Sequence, residues 1–136
     1  LEKLGFSFDV VAEQDRFDGR FPTVESPNPE NAEALKLGIE LAKKRKADLL
    51  IATDPDCDRM GVAVKSAGGE MKLLTGNQIG SLLAYYRAKT LFEQGLLNSE
   101  NACRGVIIKT FVTTDLQKAI AENSVGNTRL GRSRRP

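Results

Sequence analysis

The apolar run Leu49-Leu50-Ile51 opens directly into Ala52-Thr53-Asp54-Pro55-Asp56-Cys57-Asp58-Arg59-Met60-Gly61. This stretch constrains the fold more than any other. A short apolar run just after the polar end of a helical pattern reads as a buried strand, which puts three carboxylates where that strand emerges into a loop. Open α/β sheets bind their ligands in loops at the carboxyl ends of strands.

Three acids at alternate positions repel. At about 4 Å each like-charged pair is unfavourable by roughly 1 kcal/mol in water and about 4 kcal/mol at an effective dielectric near 20, so the loop must be solvated or neutralised. A divalent cation would neutralise it. The chain has no His, and hard oxygen ligands with few thiols nearby favour Mg²⁺ over zinc or copper; Mg²⁺ commonly completes its shell with phosphate oxygens and water. Asp54, Asp56 and Asp58 are therefore the candidate metal ligands. Cys57 is expected to point inward, because alternate residues of an extended segment face opposite ways. Arg59 beside the acids suits a phosphoryl group, since a planar guanidinium can grip two oxygens at once.

Other readings of the stretch exist. A solvated acidic turn needs no metal. An EF-hand loop begins with acids at this spacing but requires Gly sixth and Glu twelfth, where this chain has Arg59 and Lys65. A haloacid-dehalogenase-like phosphatase also follows a strand with Asp-x-Asp, but Asp58 stands where Thr or Val is expected.

Along the chain, Phe6-Ser7-Phe8-Asp9-Val10-Val11 alternates as a strand does. Asp18-Gly19 and Pro22, Pro27 and Pro29 then keep the segment irregular until Asn28, a candidate N-cap with Pro29 at the first helical position. The helix is expected to reach Lys46, with Ala32, Leu35, Ile39 and Ala42 on its apolar face. Gly61–Lys65 and Met71–Leu74 read as a hairpin about Ala67-Gly68-Gly69. Thr75 with Gln78 suggests a capping box for a helix running to Gly95, in which Tyr85 and Tyr86 read as packing residues; Val106-Ile107-Ile108 reads as a buried strand; Thr114 with Gln117 caps a last helix. The order predicts an α/β fold of layered α/β/α units with a mixed sheet.

The full set of motifs resembles the α-D-phosphohexomutases, the phosphoglucomutase and phosphomannomutase family. Asp54-Pro55-Asp56-Cys57-Asp58-Arg59 followed by Met60-Gly61 is similar to that family's metal-binding loop. Phe21-Pro22-Thr23-Val24, Pro27-Asn28-Pro29-Glu30, Leu74 to Gly80, Lys109-Thr110 and Thr113 to Leu116 are similar to its flanking segments, so the likeness spans about Leu4 to Ala121. It implies an interior fragment: residues 1–74 as most of the second domain with the metal loop, 75–122 as the start of the third α/β domain, and 123–136 as an atypical basic tail. It further implies an isomerase of carbohydrate metabolism, an intramolecular phosphotransferase that interconverts hexose 1-phosphate and hexose 6-phosphate through a phosphoserine and a bisphosphate intermediate. In that scheme Asp54, Asp56 and Asp58 hold Mg²⁺, Arg59 is catalytic, and Lys109 is substrate-binding. A phosphopentomutase of the same family, or a non-catalytic metal-binding or regulatory relative, is the alternative.

The family's phosphoserine loop resembles Thr-Ala-Ser-His-Asn-Pro and its sugar loop Gly-Glu-x-Ser-Gly-His. Neither can lie in a chain without His, so the fragment alone is expected to be inactive, with hexose phosphate a partner of the full-length parent. With 20 basic and 18 acidic residues, the charge balance calls for no nucleic acid. No apolar run approaches the ~20 residues of a membrane span. No signal-peptide pattern precedes the fold, and Cys57 and Cys103 read as reduced thiols, so the expected compartment is the cytoplasm. An exposed sheet edge is expected to favour self-association of the fragment.

Overall fold

The computed structural model describes residues 1–102 and 105–123; Cys103 and the basic tail from Ser124 lie outside the described residues. The chain divides into two compact units, Leu1–Thr75 and Gly76–Pro136.

In the first unit, helix α1 (Lys36–Arg45) leads into strands β1 (Leu49–Thr53), β2 (Met60–Lys65) and β3 (Met71–Leu74). These form one sheet in the order β1-β2-β3, and both pairings are antiparallel. In register, Leu50 faces Ala63 and Ala52 faces Gly61 across β1 and β2, while Ala63 faces Leu73 across β2 and β3. α1 packs against β1 and β3, and Gly38 brings its backbone so close to Leu50 that a Cβ there would lie 2.6 Å from Leu50 Cδ1. Leu35 at the start of α1, Ala42 within it and Ala63 of β2 are buried. The helix stops at Lys46, a non-glycine in the left-handed region (φ 57°) whose N–H returns to the carbonyls of Ala42 and Lys43.

Three expectations for this unit change. Asn28 Oδ1 does accept the Glu30 N–H at 3.0 Å, as a cap would. However, Asn31, Ala34 and Lys36 donate to carbonyls only three residues back, so regular helix is delayed to Lys36 and Ala32 stays exposed. Phe6–Val11 forms no strand: a strand needs a ladder partner, and none of the described strands pairs with it. β1 is also not buried on both faces. It lies at the edge of the sheet, and Leu49 and Ile51 remain 50% and 53% exposed on the side away from α1.

The second unit holds α2 (Gly76–Glu93) and α3 (Leu116–Asn123). Ala88 and Ala121 meet between them, with Phe92, Leu97 and Ile107 packed around. Thr114 Oγ1 accepts the Leu116 N–H, and the Thr114 N–H donates to Asn77 Oδ1 at 3.1 Å, tying the starts of the two helices together. The small Gly80 faces Gln117. Val106–Ile108 forms no strand; only Ile107 is drawn into the core, while Val106 and Ile108 are exposed. Tyr85 and Tyr86 are exposed as well, correcting their reading as packing residues.

Gly61 has the tightest neighbour of any glycine described: a Cβ on it would sit 2.1 Å from the Pro29 carbonyl oxygen. Backbone cannot yield as a side-chain tip can. Gly61→Ala is therefore expected to destabilise the first unit by about 1–3 kcal/mol, whereas Gly68→Ala, whose nearest neighbour is Ser66 Oγ at 3.8 Å, leaves it within about 0.5 kcal/mol. Urea denaturation of both variants checks this.

Candidate metal centre

The acidic stretch is the connection of the β1–β2 hairpin. Thr53 and Met60 are its last paired residues, and the Asp54 N–H continues the ladder weakly to the Arg59 carbonyl at 3.4 Å. Inside this neck, the Cys57 N–H donates to the Asp54 carbonyl at 3.1 Å, closing a turn with Pro55 at its second position, where a fixed φ is favourable. The turn places Cys57 at φ 59°. An extended segment would alternate its side chains; a turned one does not. Cys57 is accordingly exposed rather than inward, with its Sγ 3.5 Å from Thr53 Oγ1.

The turn gathers the acids. One carboxylate oxygen from each of Asp54, Asp56 and Asp58 lies within 4.8 Å of the others. Their environments differ sharply. Asp54 is 2% exposed, while Asp56 and Asp58 are open to solvent. Asp54 Oδ1 accepts the Arg59 backbone N–H at 3.0 Å and its Oδ2 accepts Arg59 Nε–H at 2.6 Å. The same Nε lies 3.5 Å from Asp58 Oδ1, so the half-exposed guanidinium bridges two of the three acids.

These contacts split the acids electrostatically. Burial opposes ionisation of Asp54, but the backbone and side-chain bonds from Arg59 outweigh it and hold its carboxyl below the usual aspartate range. Asp58 is pushed up, first by its hydrogen-bonding contact with Asp54 and then by the charges of Asp56 and Asp54. Arg59 is raised, mainly by its bond to Asp54.

The donor set fits a hard divalent cation: three carboxylates, converging oxygens and no nitrogen ligand. Asp56 and Asp58 could ligate from solvent. Asp54 could offer an oxygen once its partner moves. Lys109 lies in the second unit, where its Nζ donates to the carbonyls of Thr113 at 2.9 Å and Thr110 at 3.4 Å and pairs with Asp115 at 3.3 Å. There it braces the loop before α3.

A cavity of about 790 Å³ borders the hairpin connection, lined by residues of 12–29 together with Leu35, Ala52, Thr53, Asp54, Pro55 and Cys57. The sequence reading did not foresee it. Gly61 does not line it, but a glycine inside a strand marks a close approach of other backbone, here at Pro29, one of the lining residues.

Residues 1–69 match the family model of phosphoglucomutase/phosphomannomutase, alpha/beta/alpha domain II. Proteins named phosphoglucomutase from Staphylococcus aureus strains USA300, MRSA252 and N315 are each 38% identical over 122 residues, which cover 89% of this chain and 21% of the relative. The chain thus spans about a fifth of the length of these curated relatives. No solved structure matches it.

Asp54 and Asp58 should titrate on opposite sides of the ordinary aspartate value near 3.9. For Asp54, whose folded pKa is lowered, stabilisation is fully present above the ordinary value and disappears as pH falls through the depressed one. For Asp58, whose folded pKa is raised, ionisation carries a penalty at neutral pH that is relieved as pH falls through the raised value. Carboxyl ¹³C NMR titration of the metal-free chain is expected to show Asp58 protonating before Asp54 as pH falls; the reverse order would contradict the Arg59 pairing.

Proposed function

Because the chain belongs to the phosphoglucomutase/phosphomannomutase family, we propose that it carries the metal loop of a Mg²⁺-dependent phosphohexomutase interconverting hexose 1-phosphate and hexose 6-phosphate. The observation that carries this reading is the convergence of Asp54, Asp56 and Asp58 beside Arg59, within the span of the family match. On this proposal residues 1–74 are most of the second domain, 75–122 begin the third, and the longer enzyme is cytoplasmic.

Bound Mg²⁺ would supply Lewis acidity and a template for in-line phosphoryl transfer from a phosphoserine elsewhere in the enzyme. The rest is done by side chains. Asp56 and Asp58 present exposed oxygens, and Asp54 anchors the loop to Arg59. Arg59 offers guanidinium N–H donors to the oxygens of the moving phosphoryl, where fixed donors stabilise developing charge at little reorganisation cost. Lys109 is the proposed substrate-binding residue in the second unit.

The carboxylates can be tested separately from catalysis. Asp56→Asn, which leaves the Asp54–Arg59 contacts intact, should abolish Mg²⁺-dependent amide shifts of Thr53 to Met60 in this chain. In the full-length enzyme it should lower mutase turnover at least ~100-fold. The 136-residue chain alone should show no conversion of glucose 1-phosphate. A Mg²⁺ response that survives in Asp56→Asn would remove that residue from the ligand set.

We also propose that the isolated chain self-associates through β1, whose outer edge meets no other strand among the described residues and whose Leu49 and Ile51 are exposed. Sedimentation equilibrium should show concentration-dependent dimers that Ile51→Lys removes. A wild-type monomer at high concentration would refute it.

A further inference from the structure

Asp54 is withdrawn from solvent: its side chain is fully buried, and each oxygen already receives a donor from Arg59. A cation arriving from water meets Asp56 and Asp58 first. It finds Asp54 behind a guanidinium that is itself bound between Asp54 and Asp58. Resting on the metal reading above, we infer that Arg59 is a latch that occupies the acid cluster until a divalent cation displaces its guanidinium, so that the arginine is released toward phosphate only when metal is in place.

The two bonds to Asp54 make this displacement selective. The Oδ1 bond comes from the Arg59 backbone N–H, which is fixed by the hairpin and stays when the side chain leaves. The Oδ2 bond comes from the side-chain Nε, on a flexible stem with half its surface in water. Displacement therefore frees one oxygen of Asp54 while the other keeps the carboxylate in position. Charge balance drives the exchange, because a divalent ion answers the three acids better than a single guanidinium does. Linkage makes it reciprocal: a latch that closes against metal weakens metal binding, and metal that opens the latch strengthens phosphate binding by the same factor.

The test follows the Arg59 Nε–H signal of the whole 136-residue chain by ¹⁵N NMR, assigned by its loss in Arg59→Lys, during titration with MgCl₂ at constant ionic strength. In the metal-free chain the signal should be shielded from exchange with water. It should then move to the position of a free guanidinium in step with the Asp56 and Asp58 amides, and Arg59→Gln should bind Mg²⁺ about fivefold tighter than wild type, the scale of an ion pair with one partner open to water. Loop amides that saturate while Nε–H stays fixed would overturn the latch and leave the metal site standing, as would unchanged or weaker binding by a folded Arg59→Gln. Loop amides that ignore Mg²⁺ altogether would overturn the metal reading and the latch with it. The wild-type signal decides the matter even if the variant does not fold.

Discussion

A carboxylate removed from water must have a cation or several donors beside it, and the arrangement around β1 and β2 answers that demand at Asp54. Arg59 meets it twice, through its backbone and through its side chain. Both residues sit at the neck of the hairpin, one as β1 ends and the other as β2 begins, so the ion pair and the strand pairing reinforce each other. The remaining acids are carried outward on the turn, where water screens them.

The neck is in turn held from outside. Gly61, the second residue of β2, lies directly against the Pro29 carbonyl, and Pro29 is itself buried. From Pro29 the chain passes through tight turns to Leu35, the largest side chain that is fully buried among the described residues, and into α1. Thus α1, the Pro29 segment and the acid-bearing hairpin form one mechanical series. A displacement at any link reaches the carboxylates through backbone contact rather than through side chains alone.

Local features were legible from residues alone. The hairpin about Gly68-Gly69, the helices before Gly95 and after Thr114, and the grouping of Asp54, Asp56 and Asp58 each depend on neighbours a few positions away. What was not legible depends on partners distant in sequence. Phe6–Val11 and Val106–Ile108 have the pattern of strands, but a pattern cannot supply a ladder partner. β1 reads as buried from its leucines and isoleucine, yet its burial depends on what covers its second face. Cys57 was misplaced for a different reason: its orientation follows from the left-handed turn, and a proline two residues earlier signals the turn without fixing its exit. The contacts of Arg59 with Asp54 and Asp58 were not legible either, because they depend on how the turn folds the guanidinium back onto the acids.

The construction of the hairpin also bears on when the acid cluster takes shape during folding. The connection closes over only the residues between Thr53 and Met60, a loop whose closure entropy is small. Hairpins of this kind form within microseconds, well ahead of contacts that must join distant parts of a chain. Loop length therefore favours early convergence of the carboxylates, and Arg59 travels in the same short loop as the charges it offsets. A counter-charge supplied from far along the chain would arrive only after the repulsion had already opposed strand pairing. Placing it next to the last acid lets the acid-bearing turn assist its own folding.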